Sequence, residues 1–359
     1  MFTIEMLPAG HGDCVWIEYG KVEDPKRILI DAGTLPTYTV LRRRIEALPK
    51  GQRRFELFII SHIDTDHIDA AVKLLNSPSL GVRFDQIWFN EWKHLSRPEE
   101  LGAVQGEYTG ALIEKQQIAL NQAFQGRSVV VPDSGPLPTC KLPGGMQLTL
   151  LSPTWERLLK LRSEWKSVLG KAGLIPGNRK KALERLAKEK KYADLLGSPS
   201  LNVRVLGDSI TPTDSSTNNG SSIAVLAEYD GKESLLGADA FPDVLGNSID
   251  RLLKVRGTDR LKLHAYKVAH HGSKFNTTIE LLEKVNCRTY LFSTNGKIFH
   301  HPDREGVARV VLHGGPNAKL FFNYATPETR VWENSTLKRN FKYEAYLPPE
   351  KEPGQRLQL

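Results

Sequence analysis

The chain has 359 residues, 40% hydrophobic and 25% charged, the balance of a folded globular protein, which excludes a disordered or fibrous chain. Lysine and arginine outnumber aspartate and glutamate by 49 to 41, giving a formal net charge of +8, an excess that fits an anionic partner without requiring one. Three cysteines, Cys14, Cys140 and Cys287, are too few and too widely spaced for a disulfide framework or a zinc knuckle.

In chain order, "MFTIEMLPAGHGDCVWIEYG" breaks its apolar runs with acidic residues, so it offers neither a signal-peptide core nor a stretch long enough to cross a bilayer. Together with the cysteine usage this places the protein in the cytoplasm as an expectation. "FTIEML", "CVWIEY" and "RILIDAG" predict strands bounded by Gly, Pro and Asp, and "YTVLRRRIEALPKG" predicts a helix stopped by Pro-Lys-Gly. "FELFII" predicts a strand and "HIDAAVKLLNS" a helix, with a charged loop between them.

Further on, "EYTGALIEKQQIALNQAFQ" has helical periodicity and "VVVPDSGPLPTCKLPGGMQLTLLSP" returns to strands and turns. "TWERLLKLRSEWKSVLGKAG" and "RKKALERLAKEKKYADLLG" predict basic helices, whose charge either tracks a phosphate backbone or forms a solvated face laced with pairs such as Glu184 and Lys188. After the polar loop "DSITPTDSSTNNGSS", strands resume in "IAVLAEYDG", "ESLLGAD", "LHAYKVAHHGS" and "TYLFSTNG", and "LPPEKEPGQRLQL" reads as a frayed end.

The chemistry concentrates in "FIISHIDTDHID", residues 58 to 69. His62, Asp64, Asp66 and His67 put two imidazoles and two carboxylates on one short loop behind an apolar strand, and such a set can converge on one or two divalent cations. Charges this dense at a strand end repel one another unless a cation neutralises them. Strand, motif loop and helix in succession is also where α/β folds place ligands.

This H-x-D-x-D-H run resembles the H-x-[HD]-x-D-H signature of the metallo-β-lactamase superfamily, and its aspartate-bearing form is similar to that in the hydrolase domain of ComEC-type DNA-uptake proteins. "GHGDCVWIEYG", "ILIDAG", "NNGSSIAVL", "LLGAD", "KVAHHGSKFNTT" and "STNGKIFHHPD" resemble further family segments in the family's order. The resemblance implies a four-layer αββα metallo-β-lactamase sandwich with a helical, basic insertion and its metals at one edge between the sheets. The expected organisation is a first half over 1–92, the insertion over 93–200, a second half over 201–345 and a tail over 346–359.

It implies, too, that His62 and Asp64 bind one metal, Asp66 and His67 a second, that Asp239 bridges them and that His270 completes the second site. A hydroxide held between the cations would attack the scissile bond, with Asp66 orienting or deprotonating the water. His271 would support a ligand or contact substrate, and His301 would contact the leaving group or a phosphate oxygen. Asn219 and Ser222 stand near the place of a missing mid-chain histidine, since "EWKHLSRPEE" around His94 does not look like the family's Gly-His motif. Ser273 and Lys274 would bind an anionic oxygen. Asp64 stands where many members carry histidine, which opens the choice of cation from Zn²⁺ and Mn²⁺ to Fe²⁺ or Mg²⁺. Asp69-Ala70 replaces a usual Gly-Gly.

Asp31 and Asp13 read as strand-end carboxylates or as supports of a metal histidine. His11, His94, His264 and His313 read as structural or surface residues, and Cys14 as a buried small hydrophobe. The expected activity is metal-dependent hydrolysis of a phosphodiester by a phosphodiesterase or nuclease acting on an anionic substrate such as nucleic acid. The competing readings are hydrolysis of a small ester, lactone or thioester, and a binding or regulatory module with a degenerate metal site. A protein partner is not legible.

Overall fold

The computed structural model describes residues 1–95, 104–162, 203–207, 209, 211, 212, 214 and 216–359. The two basic helices expected within 154–197 lie largely outside the described residues. Among the described residues no helix is long and apolar enough to cross a membrane.

The first sheet is built from β1 (Phe2–Met6), β2 (Val15–Gly20), β3 (Pro25–Ile30), β5 (Leu57–Ile59), β7 (Gln86–Trp88), β8 (Ala119–Leu120) and β19 (Gln355–Gln358), in the order β19-β1-β2-β3-β5-β7-β8. A small parallel pair, β4 (Arg54–Phe55) with β6 (Arg83–Phe84), sits below it. The second sheet comprises β9 (Thr139–Lys141), β10 (Gln147–Ser152), β11 (Ala224–Tyr229), β12 (Lys232–Leu236), β14 (Ala265–Lys267), β16 (Thr289–Phe292), β17 (Lys319–Phe322) and β18 (Glu344–Tyr346), and β13 (Leu261–Lys262) pairs with β15 (Val285–Asn286) beside it. Each large sheet changes from antiparallel to parallel pairing along its width: β1-β2-β3 and β10-β11-β12 are antiparallel meanders, and β3-β5-β7 and β12-β14-β16 are parallel. The two halves are therefore built alike.

Side-chain alternation along the strands makes four layers. Ile4, Ile17, Ile28 and Ile59 of the first sheet meet Leu148, Val225, Leu236 and Leu291 of the second in a shared inter-sheet core. Their neighbours Trp16, Leu29 and Phe58 face the other way, onto Leu41 and Ile45 of α1 (Thr37–Glu46) and Ile68, Ala71 and Leu75 of α2 (Thr65–Leu75). On the far side Leu226, Leu235 and Tyr266 pack on Leu245 and Ile249 of helix Pro242–Arg256 and on Val307 and Val310 of helix Arg304–His313. Each such fully buried aliphatic side chain contributes about 1.5–3 kcal/mol relative to exposure. The molecule is the expected αββα sandwich.

Three local expectations change. The helix expected through 107–125 ends early: α3 is Val104–Lys115, and Ala119–Leu120 joins the first sheet as β8. Asn121, with φ +50°, explains the switch, because its amide bonds the backbone of Phe89 in both directions at 2.9 and 3.0 Å and ties this stretch to the sheet edge. "FELFII" splits into β4 and β5, since the Glu56 N–H donates to Arg27 O at 2.9 Å and the Glu56 carboxylate accepts from Arg27 N at 2.6 Å. The C-terminal residues are not frayed: β19 pairs antiparallel with β1, placing Leu357 and Leu359 against the inter-sheet core. The interval 93–200 also contains β8, β9 and β10, which are strands of the two sheets.

Candidate metal centre

The motif loop leaves β5 and enters α2. Asp64 occupies the N-cap position, yet its carboxylate does not cap the helix: it accepts from Asn218 Nδ2 at 2.6 Å and lies 3.4 Å from His62 Nε2. Asp66 stands in the first turn of α2, where the helix dipole favours negative charge. Gly12 makes this arrangement possible, because a Cβ there would come within 1.7 Å of Asp66 O. The departure at Asp69-Ala70 is accommodated, as the buried Ala70 donates its N–H to Gly33 O at 3.1 Å.

Asp239 follows β12, and His270 and His271 follow its parallel neighbour β14. All lie beyond the C-terminal ends of parallel strands, facing the motif loop across the gap between the sheets. Both histidines adopt left-handed backbone, with φ of +48° and +55°, so these adjacent side chains diverge.

Three imidazoles share one orientation. His67 Nδ1 lies 2.8 Å from Asp31 Oδ2, which is itself fixed because the Asp31 carboxylate accepts from Ser61 N and Oγ at 2.7 and 2.6 Å. His271 Nδ1 donates to Ser293 O at 2.8 Å. His62 Nδ1 lies 3.0 Å from Ser61 Oγ and 3.2 Å from Ser222 Oγ. In each ring the outward nitrogen is held by an oxygen, and the inward Nε2 is buried without a hydrogen bond, as is Asp239 Oδ1. Buried polar atoms are rarely left this way. Asp239 Oδ2 lies 3.3 Å from His67 Nε2 and 3.6 Å from His271 Nε2, and Asp66 Oδ2 lies 3.5 Å from His271 Nε2.

Among the described residues, four sets of three donor atoms lie within 4.8 Å of one another: His62, His67 and Asp239; Asp66, His67 and His271; Asp13, Asp239 and His271; Asp13, Asp31 and His67. The convergent orphaned donors, imidazole with carboxylate, fit a divalent cation.

The electrostatics agree. Burial pushes the His271 imidazole down, but Asp239 and Asp13 outweigh it and raise its pKa to about 10. Burial likewise pushes the His67 imidazole down, and Asp239, Asp31 and Asp66 override it and raise its pKa well above the ordinary value. Asp239 and Asp66 are pushed up by burial yet end below the ordinary carboxylate range through the facing histidines. The carboxylates thus hold positive charge at this spot.

The remaining expected residues fall around this centre. His270 turns aside: its Nδ1 lies 2.9 Å from Asn276 Oδ1 and 3.1 Å from Asp214 Oδ2, and its Nε2 stands 3.8 Å from Asp239 Oδ2. His271 takes the inward place expected of His270. Asn219 donates to Asp214 at 2.8 Å, and Ser222 touches His62. Ser273 is fully buried and accepts from Phe275 N at 3.3 Å, so it shapes the loop. Lys274 Nζ pairs with Glu305 at 3.2 Å. The His301 ring is 5.2 Å from that of His270 and 6.4 Å from that of His271.

The His11 ring is 5.8 Å from that of Phe299, and burial lowers its pKa against the pull of Asp66. His94 is structural, with Nε2 3.1 Å from Gly126 O. Cys14 is fully buried.

Sequence reasoning missed Asp214, Asn276, Asn218, Ser61, Ser293 and Lys267. Of these only Lys267 left a signal, a single cation inside the apolar run of "AYKVA".

No family model matches the chain, and no curated protein matches it. Among solved structures it is similar to CmlA, a diiron β-hydroxylase from Streptomyces venezuelae, with 12% identity, a TM-score of 0.41 and coverage of 99% of this chain and 54% of that one. The chain thus spans about half the length of CmlA. It is similar also to the metallo-β-lactamase fold protein YhfI from Bacillus subtilis, with 10% identity, a TM-score of 0.39 and coverage of 99% and 98%.

Proposed function

We propose that this protein is a metal-dependent hydrolase of phosphodiesters, with nucleic acid as the substrate class. The observation that carries the reading is the convergence of three buried, unpartnered Nε2 atoms, of His62, His67 and His271, on the Asp239 carboxylate. His62, His67 and Asp239, and Asp66 with His67 and His271, would hold a divalent cation, with Asp64 beside His62. A divalent cation bound here would acidify a water and polarise a phosphoryl oxygen. The mixture of imidazole and carboxylate suits Zn²⁺, Mn²⁺ or Fe²⁺ better than Mg²⁺, which prefers all-oxygen surroundings.

The chain's own residues would do the rest. Asp66, kept ionised by His67 and His271 against its burial, would orient the attacking water. His301, buried beside His270 and His271, would touch the leaving group. Asn219 would hold the Asp214 carboxylate and thereby His270, and Ser222 would hold His62. A cleft of about 290 Å³ opens beside Asp214, and its cations Arg157 and Lys160 are paired with Asp243 and Glu156 at 2.7 and 2.6 Å, so it lends the polyanion no free positive charge. Lys274 would assist only on leaving Glu305, and Ser273 would act by holding its loop.

The experiment is a screen of DNA, RNA and bis(p-nitrophenyl) phosphate with Mn²⁺, Zn²⁺, Fe²⁺ and Mg²⁺, using the double variant His62→Ala with Asp66→Ala as the blank. Cleavage by the native chain alone, with nucleic-acid binding that weakens steeply with salt, supports the reading. Turnover of carboxylic esters but of no diester would replace it with the small-ester hydrolase.

A further inference from the structure

Lys267 closes β14 with 1% of its surface exposed, and its Nζ is bonded to Asp13 Oδ2, on a residue 254 positions away that is itself only 2% exposed. Removing an ammonium and a carboxylate from water costs several kcal/mol per ion, and mutual attraction often fails to recover it against an apolar pair of similar size. Packing alone therefore gives no reason for this pair between the sheets. Its position supplies one.

The free oxygen of Asp13, Oδ1, lies 3.4 Å from His271 Nδ1 and takes no hydrogen bond. Asp13 also belongs to two of the four donor sets capable of holding a cation, with Asp239 and His271 and with Asp31 and His67. Its neighbour Gly12 is pressed on Asp66, and Asp13 N donates to Asp66 O at 3.3 Å. Asp13 thus stands directly behind the ring that faces Asp66 and Asp239.

We propose that Lys267 is a built-in cation that withdraws Asp13 from the metal's ligand set and turns it into a positioning carboxylate for His271. The inference rests on the metal-site reading given above. With one Asp13 oxygen held by the ammonium, the other faces the Nδ1–H of His271 alongside Ser293 O. That keeps the proton on Nδ1 and leaves Nε2 to the cation. Asp66 and Asp239 are then the carboxylates left facing His271 Nε2.

The test uses the full chain, with metal affinity and Co²⁺ absorption as readouts. A double variant, Asp13→Leu with Lys267→Met, removes both charges without stranding either, so it is expected to fold at least as stably as the native chain. It is expected to bind Zn²⁺ and Co²⁺ roughly 10–100-fold more weakly, as loss of an outer partner does. The single variant Lys267→Met is expected to alter the Co²⁺ spectrum, because Asp13 is released to join the ligands. Should Lys267→Met fail to fold, the double variant decides.

A double variant that binds Co²⁺ within about twofold of native with an unchanged spectrum reduces the pair to a structural contact and overturns the proposal. A native chain that takes up no metal sinks the hydrolase reading instead. The positioning role is then decided in the metal-free proteins by the His271 Nδ1–H resonance, which is expected to exchange more slowly in the native chain than in the double variant, where Ser293 O is its one remaining acceptor. Equal protection in both overturns it.

Discussion

Asp31 Oδ2 holds His67 Nδ1 at 2.8 Å with both side chains shut off from solvent. Asp31 has φ of +55° and accepts from both the N–H and the hydroxyl of Ser61, so one carboxylate orients the motif histidine and closes the loop that carries it.

Replacing Asp31 with alanine would strip His67 of its outer partner and leave the Ser61 N–H buried without an acceptor. Metal affinity is expected to fall roughly 10–100-fold, and stability by about 1–3 kcal/mol. Competition with a chromogenic chelator and urea melts would measure the two, and an unchanged affinity would remove Asp31 from the site.

The divergence of His270 from His271 makes a paired prediction. His271→Ala removes an inward Nε2 and is expected to lower the metal content of the purified protein by about one ion, or all of it, whereas His270→Ala is expected to retain it. Elemental analysis after dialysis distinguishes them. The opposite pattern would return His270 to the role the sequence suggested.

The metal-free protein should show a defined pH profile. His271 is raised from 6.5 to about 10, so its contribution is complete below about pH 6.5 and is lost as pH rises through 10. Asp13 is brought from 3.8 down to about 2, against its burial, by Lys267 and then His271, so its contribution is present above 3.8 and lost as pH falls through 2. Thermal melts of the chelated protein are therefore expected to plateau between these limits and to decline toward pH 10. Metal binding should release protons and strengthen with rising pH; melts that stay flat from pH 6.5 to 10 would contradict the charge arrangement.

Gly12→Ala would drive a Cβ into Asp66 O. Displacing the first turn of α2 is expected to cost about 1–3 kcal/mol and to abolish metal uptake, because Asp66 and His67 both ride on that turn. Calorimetric titration with Zn²⁺ checks it, and native affinity in this variant would show the loop to be more yielding than its packing indicates.

The local half of the candidate site was legible in the sequence. His62, Asp64, Asp66 and His67 sit within six residues on the loop after β5 and the first turn of α2, so spacing and backbone type bring them close together. The strands of the two meanders were legible for the same reason: alternation of apolar side chains is a local property that either face of a sheet imposes. Tertiary structure decided what depends on distant partners or single torsions. His270 and His271 are adjacent and chemically identical, and only a left-handed turn sends one toward Asp214 and the other toward Asp239. Lys267 and Asp13 are ordinary strand-end charges until two sheets close over them. The last residues look polar and loose in sequence, yet they form an edge strand because β1 offers them a row of backbone donors and acceptors and the inter-sheet core takes Leu357 and Leu359.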